Sequence, residues 1–324
     1  MAAKPAQLFD LVIAGGGMAG STLAWALLQA NPQFKLAIIE QQADSISPVS
    51  FDSRSIALAA ASAALLQRWG LWSELATKAC AIAHIHVSDR GHFGKTNLTA
   101  AEYQQTALGY VLEVEHLGAL LAEKLAGIAQ LQRFAPASFS CISPQQDRQQ
   151  LTLADGTVID TKLLVIAEGG LSSSRTLAGF SVQERQYQQH AVIANLALAQ
   201  SHQHIAYERF TEHGPIALLP LPGQRYSLVY TVDDAAVNGI MQLDDSAFTD
   251  HVQQAFGYRA GVFSAAGRRA CYPLNLRLSG DIVRHRVALL GNSLHNLHPI
   301  AGQGFNLAMR DIAELVKQVS AAPD

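Results

Sequence analysis

Near its start the sequence carries three closely spaced glycines between an apolar run and a helical pattern, and this feature limits the folds open to the chain. Gly15, Gly17 and Gly20 are spaced as G-x-G-x-x-G. The first permits a tight turn, the second lets a pyrophosphate approach the backbone, and the third lets helix and strand pack closely. The spacing predicts a strand-turn-helix unit that binds a dinucleotide. Glycines used only for turns are the alternative.

Glu40 strengthens the dinucleotide interpretation. It lies twenty residues after Gly20 and ends the apolar run FKLAIIE, which is typical of a second buried strand. A carboxylate at that point can accept hydrogen bonds from the ribose hydroxyls of an adenosine. Strand, helix and strand in this order predict part of a parallel sheet. The motif does not separate NAD from FAD.

Later segments extend this sheet and interrupt it. Helical spacing is present in SIALAAASAALLQRWGLW and VEHLGALLAEKLAGI, and TLADGTVIDTKLLVIAEGG predicts an Asp-Gly hairpin followed by a buried strand. From about residue 180 to residue 275, alternating runs such as HAVIANLAL and YSLVYTV, with few helical signals, predict an antiparallel sheet. We expect an α/β fold: a Rossmann-like cofactor domain of residues 1–79, 105–178 and 279–324, with an antiparallel β-sheet substrate domain inserted at 80–104 and 179–278.

Composition and charge exclude several classes of protein. The 324 residues are 49% hydrophobic, yet no apolar run approaches the roughly 18 to 20 residues needed to span a bilayer. The formal net charge is -3 and no Lys/Arg tract offers a surface for nucleic acid. Cys80, Cys141 and Cys271 are far apart and fit a reducing compartment. We expect a cytoplasmic protein that contacts a membrane at most peripherally.

Histidine pairs raise the alternative of a metal site. The pairs are His84/His86, His202/His204 and His295/His298. No carboxylate or thiolate clusters beside them in the sequence, so a tetrahedral site stays incomplete. No G-x-S-x-G nucleophile motif is present either. The sequence therefore predicts neither a metal centre nor covalent hydrolysis.

The most specific stretch is GNSLHNLHPIAGQGFNLAMRD, residues 291–311, which follows an apolar strand and ends in a helical pattern. Pro299, Gly302 and Gly304 therefore fall at a helix N-terminus, where unpaired N–H groups and the positive end of the helix dipole lie. A flat ring could lie against the glycines, and negative charge on that ring would be stabilised. A reduced isoalloxazine carries such a charge, so the stretch favours a flavin over a nicotinamide.

Two further motifs leave alternatives open. Arg54, in FDSRSIAL, follows a polar loop and precedes a helical pattern. Glu168, Gly169 and Gly170 end an apolar strand, at the edge where open α/β sheets collect ligands. A solvated arginine and a plain turn explain these two motifs about as well as ligand binding does.

In this order, the glycine turn, the D-x-R loop, the strand ending in AEGG and the segment GNSLHNLHPIAGQGFNL resemble the class A flavoprotein aromatic hydroxylases over essentially the whole chain. Through HVSDRGHFG, ERFTEHGPIALLPL and HPIAGQGFNLAMRD the chain is most similar to the ubiquinone-biosynthesis hydroxylases of that family. The resemblance implies tight, non-covalent FAD, NAD(P)H as reductant, and O2. It also implies that a flavin C4a-hydroperoxide hydroxylates the ring of a polyprenylated phenol, 2-polyprenyl-6-methoxyphenol. Because the cofactor carries this chemistry, no acid-base dyad is expected in the sequence.

The resemblance also implies which residues contact FAD. Gly15, Gly17, Gly20 and Glu40 would hold its ADP half, and Arg54 would reach the pyrophosphate or the flavin side. The further residues that it places around the ribityl chain and the isoalloxazine are Glu168, Gly169, Gly291, Asn292, Pro299, Gly302, Gln303, Gly304, Phe305 and Asn306.

Four of these residues would form the flavin environment in which the chemistry takes place. They are Pro299, Gly302, Gln303 and Gly304. The chain departs from the family pattern at three positions: Glu168 and Asn292 replace aspartates, and Ala308 stands where glycine is common.

A nearly insoluble prenylated phenol implies peripheral contact with the inner face of the cytoplasmic membrane or membership of a ubiquinone-biosynthesis complex. Members of the family continue for several tens of residues past the helix that ends near Val319, so we expect C-terminal helices to be missing from this chain. Activity therefore does not follow from the motifs alone. The competing hypotheses are an NAD-dependent dehydrogenase, a flavin hydroxylase acting on another phenol, and a flavin-binding scaffold subunit.

Overall fold

The computed structural model describes residues 6–43, 53–298 and 302–322. Its strands are β1 (Gln7–Ala14), β2 (Leu36–Ile39), β3 (Ser55–Ala59), β4 (Cys80–Ile82), β5 (His84–Asp89), β6 (Lys95–Thr99), β7 (Gly109–Glu113), β8 (Leu131–Phe134), β9 (Phe139–Pro144), β10 (Gln149–Leu153), β11 (Val158–Ile166), β12 (Val182–Leu198), β13 (Ile205–Thr211), β14 (Gly214–Leu221), β15 (Arg225–Asp233), β16 (Phe263–Ala266), β17 (Ala270–Ser279), β18 (Val283–Arg284), β19 (Val287–Leu289) and β20 (His295–Asn296). Its α-helices are α1 (Met18–Ala30), α2 (Ala60–Arg68), α3 (Trp72–Leu75), α4 (Val114–Leu125), α5 (Ser173–Leu177), α6 (Asp234–Met241), α7 (Asp245–Phe256) and α8 (Gln303–Ala321).

The first sheet is built around β1, which pairs in parallel with β11 on one side and with β2 on the other. The parallel strands β19 and β8 extend the sheet beyond β11 and β2. The antiparallel pair β9 and β10 joins it at β11. The apolar residues of β1 and β2 are buried, as expected for strands covered on both faces. The predicted Rossmann-like α/β fold is confirmed.

Helices α1, α4 and α8 cover one face of this sheet. Leu27 of α1, Leu121 of α4 and Ile312 of α8 belong to one apolar core together with Ile13 of β1. Each fully buried side chain of this size contributes about 1.5 to 3 kcal/mol relative to exposure. The packing holds α1 and α8 side by side, so both helices begin at the same edge of the sheet.

The second sheet runs in the order β20-β17-β12-β15-β14-β13-β5-β6, with β16 pairing with β12. Its strands are antiparallel except for the parallel pair β13 and β5. Helix α7 covers one face through Phe248, Val252 and Phe256. On the opposite face Ala206 packs against Val111 of β7. That strand belongs to a third sheet, β3-β7-β4, which lies between the second sheet and the start of α8.

One local prediction was wrong and another was incomplete. Residues 55–59 form β3, because they pair with β7, and the helix starts only at Ala60. The stretch between residues 180 and 275 contains the helices α6 and α7. A signal for α7 was present in the sequence: Asp244 caps it by accepting from the backbone N–H of Ala247, and apolar residues follow at helical spacing.

Each sheet recruits segments that are distant in the chain. β5 and β6 join the second sheet beside β13, more than a hundred residues later. The domain boundaries given above remain predictions. In the part of the chain that the structure describes, no helix is both long and apolar enough to cross a bilayer.

Candidate functional site

The glycine turn lies where β1, β11 and α1 approach most closely. Gly15 has φ +100°, and a Cβ at this position would lie 2.7 Å from the carbonyl oxygen of Ala167. A Cβ at Gly20 would overlap the carbonyl oxygen of Gly15. Apart from its chain neighbours and the backbone of α1, no described atom lies within 4 Å of the position that a Cβ of Gly17 would take, so its bare backbone borders open space. The turn therefore leaves a crevice at the carboxyl end of β1.

Helix α1 points its N-terminus at this crevice. Gly17 is its N-cap residue, and no side chain caps the helix. The first turn contains no acidic residue, and the N–H of Ser21 makes a helical bond to the carbonyl oxygen of Gly17 at 2.9 Å. An uncapped N-terminus with the positive end of the helix dipole favours an anionic group such as a phosphate.

Glu40 is hydrogen-bonded to the turn. Its Oε2 accepts from the backbone N–H of Gly16 at 2.7 Å, and its Oε1 accepts from the N–H of Gln42 at 2.9 Å. The hydroxyl of Ser21 donates to the carbonyl oxygen of Gly16 at 2.8 Å. A carboxylate has about four acceptor positions, so Glu40 can still accept from the hydroxyls of a ribose.

A cleft of ≈ 420 Å³ opens beside Glu40, and Gln41, Pro136 and Ser173 contribute to its lining. The guanidinium of Arg133 lies at the same edge, 3.0 Å from the position that a Cβ of Gly16 would take. Sequence reasoning missed Arg133, because nothing in the sequence shows that β8 lies next to β2. The lining of the cleft combines apolar and polar side chains next to the end of β2.

Helix α8 starts at the same crevice. Its N-cap residue, Gly302, has φ +58°, and a Cβ there would lie 3.1 Å from the Cβ of Ala57. No side chain caps this helix and its first turn has no acidic residue. A Cβ at Gly291 would lie 3.6 Å from Cβ of Ala19 and 3.5 Å from Cβ of Ala308. The first turn of α1 and the second turn of α8 thus approach each other at Gly291, and two positive helix ends face one crevice.

The predicted flavin-side residues divide between the crevice and the core. The nearest described atom to a Cβ of Gly304 would be Oδ1 of Asn292 at 3.7 Å, so the protein leaves room above this glycine. Asn292 and Gln303 are exposed. Phe305 packs against the core beneath α8. Pro299 lies outside the described residues.

Asn306 links α8 to β3 and α2. Its Oδ1 accepts from the N–H of Ala59 at 2.8 Å and from the hydroxyl of Ser62 at 2.7 Å. Its Nδ2 donates to the carbonyl oxygens of Ala57 at 2.8 Å and Gly302 at 3.0 Å. These four bonds use the full capacity of the amide. The side chain fixes the start of α8, and its predicted place beside the isoalloxazine stays a prediction.

Glu168 is hydrogen-bonded to the start of the short helix α5, whose N-cap residue is Ser172. Its carboxylate accepts from the hydroxyls of Ser172 at 2.7 Å and Ser174 at 2.6 Å. The adjacent Gly169 donates its N–H to Oγ of Ser293 at 3.0 Å. The end of β11 is therefore joined to the segment that precedes α8, as expected if both border one ligand.

Arg175 secures the same junction. Its guanidinium donates to the carbonyl oxygens of Ser293 at 2.8 Å and Gly170 at 3.0 Å. Burial, with the charge of Arg277, lowers the pKa of Arg175. No sequence motif indicated the bond to Ser293, because it joins Arg175 to a backbone atom more than a hundred residues away.

Arg54 is exposed and directly precedes β3, and its carbonyl oxygen accepts from the N–H of Val114 at 2.9 Å. The neighbouring residue, Ser53, accepts from Nδ2 of Asn195 at 2.9 Å. Asn195 is buried on β12, so this bond fixes the second sheet above the segment that leads into the crevice. No sequence motif predicts this bond, since it depends on the position of β12.

The pair His202/His204 lies beside the thiol of Cys80. The sequence predicts no thiolate near any histidine pair, and this expectation is corrected. Sγ of Cys80 lies 3.5 Å from Nδ1 of His204, and the ligand atoms of Cys80, His202 and His204 lie within 4.8 Å of one another. Both ring nitrogens of His202 are hydrogen-bonded, one to the carbonyl oxygen of Leu221. Burial raises the pKa of Cys80 to about 11. The thiol is therefore protonated, and the imidazole of His202 already makes hydrogen bonds through both nitrogens. We interpret the three residues as a hydrogen-bonded cluster and assign it no ligand.

Comparison with known proteins connects this geometry to a family. Residues 9–322 match the FAD binding domain family. The chain is 33% identical over 317 residues to ubiquinone hydroxylase UbiL of Rhodospirillum rubrum, covering 98% of this chain and 73% of that protein. It is 30% identical over 312 residues to 3-demethoxyubiquinol 3-hydroxylase of Escherichia coli, covering 96% and 79%. A mutant of PqsL from Pseudomonas aeruginosa has a similar fold, with TM-score 0.80, 22% identity and coverage of 97% and 86%.

The family match and the named relatives, together with the glycine turn and the two uncapped helices, identify a FAD-dependent flavoprotein monooxygenase. NAD(P)H and O2 are the reductant and oxidant typical of this class. The chain belongs to the class A FAD-dependent aromatic hydroxylases, in the group of the ubiquinone-biosynthesis hydroxylases. The predicted family and cofactor are confirmed, and the NAD-dependent dehydrogenase hypothesis is excluded.

Proposed function

We propose that this protein hydroxylates the aromatic ring of 2-polyprenyl-6-methoxyphenol in ubiquinone biosynthesis. The proposal is supported by relatives whose names give hydroxylation in the ubiquinone pathway and which match nearly the whole chain. The main structural support for the proposal is an apolar row of side chains on the second sheet. The row lies on the face of the sheet that is turned toward the crevice.

Cross-strand pairing defines this row, which we call the inner row. It consists of Val87, Glu208, Ala217, Val229 and Ile193, on β5, β13, β14, β15 and β12. Four spacings of about 4.8 Å make it roughly 19 Å long. Four of the five side chains are apolar, which suits an aromatic ring with a hydrocarbon tail.

The orientation of the inner row follows from its neighbours on the same face. Side chains two residues apart on a strand share a face. Asn195 shares the face of Ile193 and binds Ser53. Ala206 shares the face of Glu208 and packs against Val111 of the third sheet. The inner row is therefore turned toward the third sheet and the crevice, away from α7.

The residues at the crevice fit FAD. At Gly17 a side chain would fill the space in front of the uncapped end of α1, where the pyrophosphate would lie. Glu40 would accept from the ribose, and the N-terminus of α8 would stabilise negative charge on the reduced flavin. FAD, when bound, supplies the redox and oxygen-transfer chemistry.

We propose the remaining contacts from the family resemblance, and the geometry of the crevice supports two of them. Gly304 would lie under the isoalloxazine and Asn292 beside the ribityl chain, since these two residues adjoin each other at the open end of α8. Arg54 would reach the pyrophosphate or flavin from the segment before β3. The other proposed contacts are Gly15, Gly20, Glu168, Gly169, Gly291, Pro299, Gly302, Gln303, Phe305 and Asn306.

Delivery of the substrate is part of the proposal. A polyprenylated phenol partitions into lipid, so the protein would take it through peripheral contact with the inner face of the cytoplasmic membrane or within a ubiquinone-biosynthesis complex. Phe93 supports such contact, because it lies fully exposed at the tip of the hairpin between β5 and β6.

The test uses purified protein loaded with FAD. We expect NAD(P)H- and O2-dependent conversion of a short-chain 2-prenyl-6-methoxyphenol to a product heavier by one oxygen atom, measured by mass spectrometry. Expression in cells that lack the pathway hydroxylase should restore ubiquinone. Efficient hydroxylation of unprenylated phenols, with no product from the prenylated one and no ubiquinone, would show that the protein acts on another phenol.

A further inference from the structure

Glu208 is the one carboxylate of the inner row. It lies on β13 between Val87 of β5 and Ala217 of β14, its cross-strand partners. Its Oε1 is buried, and in the described part of the chain this atom has no hydrogen-bond partner. Glu208 is therefore a single acceptor in an otherwise apolar row, on the face above the crevice. A hydrogen-bond donor for its Oε1 has to come from outside the described residues.

The surrounding strands supply no counter-charge to Glu208. β14 contains no titratable residue. On β5 the pairing places Asp89 on the same face, but Asp89 is exposed and bound to His92 at 2.8 Å. Arg209, the next residue, points to the opposite face, where it lies 5.9 Å from the ring centre of Phe256. Among the described residues burial is therefore the one influence on the carboxyl group, and it raises the pKa of Glu208 to about 7.

A buried acceptor without a donor is costly, and such groups in native structures call for a physical explanation. One such explanation is that a ligand binds there and supplies the hydrogen-bond donor. A 2-polyprenyl-6-methoxyphenol carries a single hydrogen-bond donor, its phenolic hydroxyl, since the methoxy and prenyl groups have none. The inner row offers apolar surface for the ring and tail, and one acceptor for that hydroxyl.

We propose that Glu208 binds the phenolic hydroxyl of the substrate and takes its proton during hydroxylation. The inference rests on the proposed function. The phenolic O–H bond breaks, its proton forms a new O–H bond on the Glu208 carboxylate, and the electron pair stays on the phenolate oxygen. The phenolate ring is more electron-rich than the phenol and therefore a better nucleophile toward an electrophilic oxygen. A general base whose pKa lies near the working pH suits this transfer.

Binding to the oxidised, FAD-loaded protein without NAD(P)H tests the contact separately from turnover. The probes are 2-prenyl-6-methoxyphenol, with one isoprene unit, and its methyl ether, which lacks the hydroxyl. Dissociation constants come from the change in flavin absorbance between pH 6 and pH 8.5. We expect the phenol to bind about tenfold or more tightly than the ether at pH 8, because an ionised acceptor strengthens the bond. The preference should decline as the pH falls through 7.

Glu208→Gln and Glu208→Ala are both expected to remove the pH dependence of this preference. Glu212→Gln is the matched control: it makes the same change at an exposed glutamate on the hairpin that follows β13. It should bind both probes as the unmodified protein does. FAD content of each variant, measured after denaturation, reports whether the site is intact.

Kinetics provide the second readout. Glu208→Gln should lower kcat for hydroxylation by about 10²-fold or more, as expected for loss of a general base, and should flatten the pH profile near 7. The unmodified protein could form the oxygenated product and yet bind phenol and ether equally. That result would overturn the role of Glu208, and the proposed function would stand. If neither probe binds and no oxygenated product forms, the proposed function fails and the inference fails with it.

Discussion

Oε2 of Glu40 accepts the backbone N–H of Gly16 at 2.7 Å, which joins the end of β2 to the turn after β1. The bond places the carboxylate beside the N-terminus of α1. There an adenosine diphosphate would contact Glu40 through its ribose and the helix N-terminus through its pyrophosphate. Glu40 therefore orders the turn and offers its remaining acceptor positions to the ribose. Loss of this side chain should affect the cofactor more than the rest of the fold.

Glu40→Ala is expected to weaken FAD binding roughly 10- to 100-fold, since hydrogen bonds to a charged acceptor contribute about 1.5 to 3 kcal/mol. The quenching of flavin fluorescence during titration of the apoprotein measures the affinity. Glu314→Ala, at an exposed position on α8, is the control and should bind FAD normally. Unchanged affinity in Glu40→Ala would remove the proposed ribose contact.

Gly304→Val should lose flavin and remain folded. Outside its own helix backbone, the nearest described atom to the added Cβ would be Oδ1 of Asn292 at 3.7 Å, so the described part of the protein has room for a Cβ and we expect the clash to come from the ring of the cofactor. Flavin content and far-UV circular dichroism measure the two effects. Gly239→Val, at an exposed position in α6, should keep its flavin. Full flavin occupancy in Gly304→Val would mean that this glycine does not lie under the ring.

Asn306→Ala should destabilise the protein by roughly 2 to 5 kcal/mol, because it removes four hydrogen bonds that join α8 to β3 and α2. Urea unfolding of the apoprotein measures the loss, and FAD affinity should fall as the start of α8 loosens. Asn238→Ala, at an exposed position of α6, is the comparison. Equal stability of the two variants would contradict the linking role of Asn306.

Glu208→Gln should stabilise the apoprotein at alkaline pH. Burial raises the pKa of Glu208 from 4.5 to about 7, so the folded state holds the proton more tightly than the unfolded state. Ionisation therefore opposes folding increasingly as the pH rises from about 4.5 to 7, and the penalty stays constant above that range. The substitution removes this penalty.

We expect Glu208→Gln to be roughly 2 kcal/mol more stabilising at pH 8 than at pH 5, measured by urea unfolding. Glu212→Gln should show little difference between the two pH values, because this glutamate is exposed. An equal effect of Glu208→Gln at both pH values would mean that the carboxyl group titrates near its usual pKa.

The turn, Glu40 and the start of α8 could be predicted from the sequence because each depends on local spacing. The glycine pattern requires one backbone geometry, and Gly302 requires a left-handed cap. Glu208 and Asn195 could not be found in this way, because their roles depend on which strands pair and in which register. β3 was mistaken for helix because its alanine-rich sequence has helical propensity, whereas pairing with β7 fixes it as a strand.

The strand order also has a consequence for the synthesis of the protein. β1, at the centre of the first sheet, is made first, but its partner β11 lies about 150 residues later and β19 pairs with β11 only after more than a hundred further residues. β5 likewise cannot form its pairing with β13 until β13 has been made. Such distant pairings slow folding. The nascent chain cannot complete the crevice until α8 has left the ribosome, so the FAD site forms only after all the elements that border it have been made.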